Sequence, residues 1–356
     1  MAWNHNRCST LLTLVALLAG VIPVAACTAA GSFQQPGSHP TAAIARPPRG
    51  SVLIPVSVVT PGTAPLPAPK ALPSFTGTPG YPGEGAWHPA GRLVAGKPAV
   101  YETTLVPPGG TARAGIAWMD TSLLGARLYS GSASPGGGPY KYTAPVSVTA
   151  ADSLVAAFNG GFKMGDAHGG YYTEGRLVKP LVKGAASLVI YASGAVTVGA
   201  WGSDVTMTRS VVAVRQNLFP LVVNGKPTAR ATTRTWRVWG GTCPCGAGDH
   251  GAEHQWRSGL GVTEDGALVY VTGPKLDPVQ VADLLVQAGV IRGMQLDINP
   301  TWPVFASFKP ATPGGLAAPG NGSKLIDTSR GPATFFDPAY SRDFITMSAD
   351  PAPGSR

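Results

Sequence analysis

Two polar side chains close apolar runs in this chain. Leu154-Val155-Ala156-Ala157-Phe158 leads into Asn159-Gly160-Gly161-Phe162, and Gly293-Met294-Gln295-Leu296 leads into Asp297. An amide and a carboxylate at strand ends, beside glycines that admit a ligand to the backbone, suit a site in a sheet protein. The carboxylate offers a nucleophile, a general base or an electrostatic stabiliser. Asn-Gly, and Asp shortly before Asn-Pro, are also turn chemistry, so these residues alone leave both readings open. Asp166 and Glu174 follow the Asn-Gly-Gly run in a loop with His168, Tyr171 and Tyr172, and are candidates for lining a cleft. Glu264-Asp265-Gly266 reads as a hairpin turn. Trp201, Trp236, Trp239, Trp256 and Trp302 offer sugar-stacking platforms or core and interface packing, and Trp302, just past Asp297, is the best candidate for a cleft wall.

Cys243-Pro244-Cys245, followed by His250 and His254, presents four soft ligands with the chemistry for zinc. The one-residue gap between the cysteines is not the usual zinc spacing. Paired cysteines in an exported chain more often oxidise, although a bridge across one residue closes a small ring. Disulfide, zinc and free thiols all stay open here. The default is a loop insertion without a catalytic role, hence no cofactor.

Short β-rich runs separated by glycine-rich punctuation must position these groups: Val100–Leu105, Ile116–Met119, Arg127–Tyr129, Leu154–Phe158, Ser187–Tyr191, Val196–Ala200, Val211–Val214 and Leu221–Val223. The clearest helix comes late. Asp277 caps it, Pro278 suits the first helical position and Gly289 the stop, with Val281, Leu284, Leu285 and Ala288 on one face. The strand Ala267–Val271 precedes it and the strand ending at Asp297 follows. This strand–helix–strand unit predicts parallel strands with a right-handed crossover, and Asp297 at the carboxyl edge where ligands bind. The expected class is α+β: a mixed β-sheet with few helices, in a single main domain over 85–350.

The N-terminus reads as an export signal over 1–26. Arg7 precedes an apolar stretch from Leu11 to Ala26, shorter than the ~20 residues of a spanning helix. Val24-Ala25-Ala26-Cys27 resembles the bacterial lipobox, which implies cleavage before Cys27 and a diacylglycerol anchor on its thiol. Ordinary secretory cleavage would leave Cys27 as an odd thiol. Residues 27–84 form a Pro-rich, largely acid-free stretch that reads as a tether lifting a domain off the bilayer. Within it, Ser51–Ile54 and Val56–Val59 have strand character, weakened by Pro55. The expected location is the outer face of the cell membrane, or outside the cell.

Lys and Arg total 27 against 18 acids, a balance that favours anionic partners. Charged residues are only 13% of the chain and form no basic run, which argues against nucleic acid. Basic residues recur from Arg209 through Arg215, Lys226, Arg230, Arg234 and Arg237 to Arg257, as a solvated face or the rim of a polyanion site.

Taken in order, several segments resemble the phosphodiester glycosidase family. They are Ala157-Phe158-Asn159-Gly160-Gly161-Phe162, then Phe219-Pro220-Leu221-Val222-Val223-Asn224-Gly225-Lys226, then the run Arg257–Gly266, then the late helix with Gln295-Leu296-Asp297. The resemblance covers roughly Val148 to Trp302. It departs after the aspartate, where Ile298-Asn299-Pro300-Thr301-Trp302 stands in place of a glycine- and serine-rich stretch. It implies hydrolysis at a sugar-1-phosphodiester. Such a substrate needs little acid help, because the phosphodiester anion is already a good leaving group. In that scheme Arg257 clamps phosphate, Asp297 faces the anomeric carbon or directs water, and Asn159 with the Gly160 and Gly161 amides orients oxygens. Glu174, His168 and Trp302 would contact substrate. The partner is an anionic or phosphorylated envelope glycan. The alternative is a non-catalytic glycan- or wall-polymer-binding lipoprotein on the same fold. Cleavage of an ordinary glycosidic bond stays open if Asp166 or Glu174 faces Asp297.

Overall fold

The computed structural model describes residues 53–78, 80–232, 236–240 and 253–349. Three sheets carry the chain. The largest has eight strands in the order β1 (His88–Val94), β2 (Lys97–Leu105), β3 (Ala114–Met119), β14 (Leu268–Leu276), β13 (Gln255–Thr263), β15 (Val290–Gln295), β11 (Pro220–Val223) and β12 (Lys226–Pro227). The second has five: β7 (Arg176–Lys179), β6 (Tyr171–Thr173), β10 (Val211–Gln216), β8 (Ala186–Tyr191) and β9 (Val196–Ala200). The third orders β17 (Gly322–Lys324), β16 (Phe305–Phe308), β5 (Leu154–Asn159), β18 (Phe344–Ser348) and β4 (Gly125–Tyr129).

Every strand pairing within these sheets is antiparallel. Among the described residues the α-helices are short: α1 (Val148–Ser153), α2 (Ala229–Thr232) and α3 (Pro278–Gln287). The α+β, mixed-sheet expectation is therefore corrected to a mostly β fold. The strand–helix–strand unit shows why no parallel pair forms. β14 and β15, joined by α3, do run the same way, but β13 lies between them and pairs antiparallel with both. The expected parallel pair never touches edge to edge.

α3 forms where its signals predict. Asp277 accepts from Gln280 N at 2.7 Å and Gln280 Oε1 accepts from Asp277 N at 3.0 Å, a reciprocal capping box. Val281, Leu284 and Leu285 are buried in the main core, between the helix and the large sheet. Gly259 of β13 permits this packing, since a Cβ there would stand 2.7 Å from Val281 Cγ1. Glu264-Asp265-Gly266 turns β13 into β14, closed by Gly266 N donating to Thr263 O at 3.1 Å.

The described part of the Pro-rich stretch runs along the domain as a strap, without forming a strand over 53–59. Its backbone is fastened at Ile54 N to Asn224 Oδ1, at Ser57 N to Glu264 O, at Gly62 N to Ser122 O and at Leu66 N to Asp120 Oδ2. Val56, Leu66, Leu72 and Phe75 pack against the main core. Among the described residues, no helix is long and apolar enough to cross a membrane.

Candidate functional site

The site begins where β5 ends. Asn159 is 2% exposed, and its amide joins two sheets. Nδ2 donates to Ser258 Oγ on β13 at 3.1 Å and to Gly160 O at 2.7 Å. Oδ1 accepts from Tyr270 OH at 2.7 Å and from Val304 N at 3.1 Å. These bonds leave the side chain little capacity for a ligand.

Ser258 carries the connection on to Asp297. Its backbone faces two residues, accepting from Leu296 N and donating to Asp297 O, both at 2.8 Å. That is the geometry of a bulge, which re-aims the bulged side chain. Its Oγ accepts from Asp297 N and donates to Asp297 O, each at 3.1 Å. The Asp297 carboxylate accepts from Asn299 N through Oδ1 at 2.9 Å, and from Arg342 Nη2 through Oδ2 at 2.7 Å. Burial pushes its pKa above the ordinary carboxylate value, against the opposing pull of Arg342 and the Asn299 and Ile298 amides.

Arg342 is the partner that the apolar runs did not announce. It precedes β18, which lies beside β5 with Phe344 opposite Asn159. Nη2 also donates to Gly161 O at 2.8 Å, while Nη1 makes no hydrogen bond among the described residues. The next residue, Asp343, is paired with Arg215 at 2.8 Å, with both side chains buried. Arg215 also donates to the carbonyls of Phe162 and Gln216. Asn217 accepts from Phe162 N at 2.9 Å and donates to Gln295 O and Leu296 O. The Asn-Gly-Gly-Phe turn is thus clasped on its backbone by two arginines and an asparagine. Gly160 N is itself spent on Asp343 O at 2.9 Å.

The glycines of this turn are required by close approach. A Cβ at Gly160 would meet Asp343 Oδ2 at 2.2 Å, and one at Gly161 would meet Asn217 Oδ1 at 2.5 Å. Gly161→Ala is expected to cost about 1–3 kcal/mol by overpacking, seen as an earlier urea midpoint with unchanged slope.

Arg257 stands elsewhere. It precedes Ser258 on β13, so its side chain leaves the opposite face. The guanidinium is fully buried and has four protein acceptors: Leu276 O at 2.8 Å, Trp239 O at 3.1 Å, Gln295 Oε1 at 2.8 Å and Glu253 O at 3.0 Å. Burial lowers its pKa to about 10, with Asp277 and Glu253 opposing. The structure unites Asn159 and Asp297 through Ser258 and places Arg257 behind Trp239.

A cleft of about 950 Å³ opens over Asp297 and Arg342. Lys163, Asp166, His168, Asn299 and Trp302 line it, together with Phe162, Leu218, Phe219, Val238, Gly240, Gln255, Ile298 and Pro300. Two guanidinium carbons lie near the Trp302 ring, Arg330 at 4.6 Å and Arg342 at 4.9 Å from its centroid, so this wall carries positive charge. Glu174 does not line the cleft. Its carboxylate accepts from Lys141 N and Tyr142 N, both at 3.0 Å.

Cys27, Cys243, Cys245 and His250 lie outside the described residues, as does the export signal. His254 is described, half exposed, with Nε2 3.8 Å from Asp277 Oδ2. Among the described residues no group of three or more His, Cys, Asp or Glu is placed to hold a metal ion.

No family model and no curated protein matches the chain. Two solved structures are similar in fold at low identity. One is the catalytic domain of zebrafish N-acetylglucosamine-1-phosphodiester alpha-N-acetylglucosaminidase auto-inhibited by pro-peptide, with TM-score 0.44, 16% identity, and coverage of 74% of this chain and 87% of that one. The other is a hypothetical protein from Synechocystis, with TM-score 0.43, 11% identity, and coverage of 71% and 62% respectively. Likenesses at this level assign no role to any residue.

Proposed function

We propose that this chain is an exported, lipid-anchored glycosidase acting on a sugar-1-phosphodiester or a related phosphorylated envelope glycan. The observation that carries the reading is the Asp297–Arg342 pair at 2.7 Å in an open cleft. It sets a carboxylate and a guanidinium side by side, as a reaction separating an oxocarbenium-like sugar from a phosphate anion requires. The ordered resemblance of the flanking segments supports the same chemistry, and the lipobox-like Val24–Cys27 supports export and anchoring.

In this reading Asp297 faces the anomeric carbon. The phosphate lies toward Arg342 Nη1 and Lys163, within the positive field that Arg330 reinforces. The clamp role first expected of Arg257 passes to Arg342, and Arg257 becomes a positioning residue that holds the Trp239 carbonyl behind the cleft wall. Asn159 and the two glycines set the turn that carries Arg342's acceptor, Gly161 O.

One observation favours a second reading. Asp166 lines the same cleft as Asp297, so a second carboxyl group, which cleavage of an ordinary glycosidic bond uses, is present there. Release of free sugar from a panel of sugar-1-phosphodiesters, run beside aryl glycosides of the same sugars, separates the two. Turnover of the phosphodiesters alone supports the proposal, and turnover of the glycosides alone supports the second reading. Turnover of neither, with retained glycan binding, leaves a binding lipoprotein.

The pH profile supplies a further check. Only ionised Asp297 can act as nucleophile or base, so the acid limb of kcat/KM is expected to be displaced upward from the ordinary aspartate value. Arg342 holds that pKa down, and Arg342→Gln is therefore expected to move the limb to still higher pH. The sign for stability is the reverse. A carboxyl with a raised folded pKa is stabilising when protonated, and that contribution fades as pH climbs through the folded pKa.

A further inference from the structure

We infer that the cleft carries a preformed apolar subsite beside the Asp297–Arg342 pair, which takes a hydrocarbon aglycone of the phosphodiester. The inference rests on the glycosidase reading and names its substrate class.

The lining divides by chemistry. Lys163, Asp166, His168 and Arg342 are polar, whereas Phe162, Leu218, Phe219, Val238 and Ile298 are apolar. Val238 keeps 40% of its surface exposed and Phe219 and Ile298 are half-buried, so the apolar side faces the open cleft. At about 950 Å³ the cleft lies near the upper end of the ~300–1,000 Å³ typical of ligand pockets. A ligand that fills both halves is amphipathic, with its charge at Arg342 and its apolar part beyond.

The apolar wall is built rather than collapsed. Gly240 brings its backbone against two wall residues, since a Cβ there would stand 2.7 Å from Ile298 Cδ1 and 2.8 Å from Phe162 Cζ. Phe219 is held edge-on by Trp239, with ring centroids 6.3 Å apart. The Trp239 carbonyl is fixed by Arg257 Nη1 and by Gln295 Nε2, at 3.1 and 2.8 Å. Val238 immediately precedes this fixed residue. A rigid apolar wall loses little ordering entropy when a ligand covers it, which is how preorganisation strengthens binding.

The test uses the full chain, with methyl phosphate and hexyl phosphate as probes in isothermal titration calorimetry. In parallel, methyl and hexyl phosphodiesters of each sugar in the panel are assayed for turnover. Hexyl phosphate is expected to bind at least about tenfold more tightly than methyl phosphate, since each buried methylene favours binding. Val238→Asp and Phe219→Ala are each expected to bring that ratio toward one. Equal affinities in the wild type, binding of neither probe, or a ratio unchanged in both variants overturns the inference. Turnover without a hexyl preference overturns the apolar subsite and leaves the glycosidase reading standing. A hexyl preference in binding with no turnover of any phosphodiester supports the subsite and sinks the glycosidase reading.

Discussion

Asp297→Asn is expected to lower turnover of a sugar-1-phosphodiester by about 10²–10⁴-fold, the range typical for loss of a positioned acid–base group. The replacement keeps the shape and an oxygen for Asn299 N, so the loop after β15 has reason to stay in place. What it removes is the negative charge facing Arg342. Because burial raises the pKa of Asp297, the fold tolerates its neutral form better than its charged one, so loss of this charge costs less stability than loss of a carboxylate whose pKa is depressed by its partner. Activity and stability must therefore be read together. Circular dichroism melts and single-temperature assays well below the midpoint separate them. A folded Asp297→Asn protein with wild-type kcat would remove the carboxylate from the chemistry. The double variant Asp297→Asn/Arg342→Gln also removes the donor to Gly161 O and is expected to recover none of the turnover.

Asp343→Ala is expected to destabilise the fold by about 3–5 kcal/mol. Folded domains hold a margin of roughly 5–15 kcal/mol, so this is a large fraction of it. Asp343 is fully buried and Arg215 is 1% exposed. Arg215 would keep its charge and its bonds to Phe162 O and Gln216 O, with no carboxylate beside it. Replacing both by apolar residues does not simply repair the loss, because those two carbonyls would then lose their donor. A thermal melt of Asp343→Ala is expected to shift down by about 10 °C, given a few degrees per kcal/mol for a domain of this size. A shift below about 2 °C would contradict the role given to this pair.

Much of the strand and helix content was legible because it rests on local signals. The capping box and Gly289 bound α3, and the β-rich runs became β2, β3, β4, β5, β8, β9, β10 and β11. The class was misjudged because the chain spends its length on three antiparallel sheets and few short helices, and the expected parallel pair is split by β13 between β14 and β15. Nothing in the linear order of a strand–helix–strand unit reveals a third strand arriving from upstream.

The residues that the fold gathers around the candidate site were half legible for a related reason. Asn159 and Asp297 stood out as polar residues ending apolar runs. In an antiparallel sheet, however, the start of one strand lies beside the end of its neighbour. Arg342-Asp343 ahead of Phe344–Met347 is the same signal read from the other side. The face of Arg257 was hidden because β13 is buried almost throughout, which erases the alternation that assigns side chains to faces. The strap was invisible because it is fastened largely through main-chain groups, which composition does not report.

That strap has a mechanical consequence. Its bond from Ser57 N reaches Glu264 O, just past the end of β13 remote from Ser258. Those two points of the chain are separated by roughly 20 Å of extended backbone. A pull on the N-terminal side of the strap would meet the bonds of Ile54 to Asn224 and Arg292 first, and then the bond of Ser57 to Glu264. The groups around Asp297 stand at the other end of β13, a strand's length from where a pull on the strap would be applied.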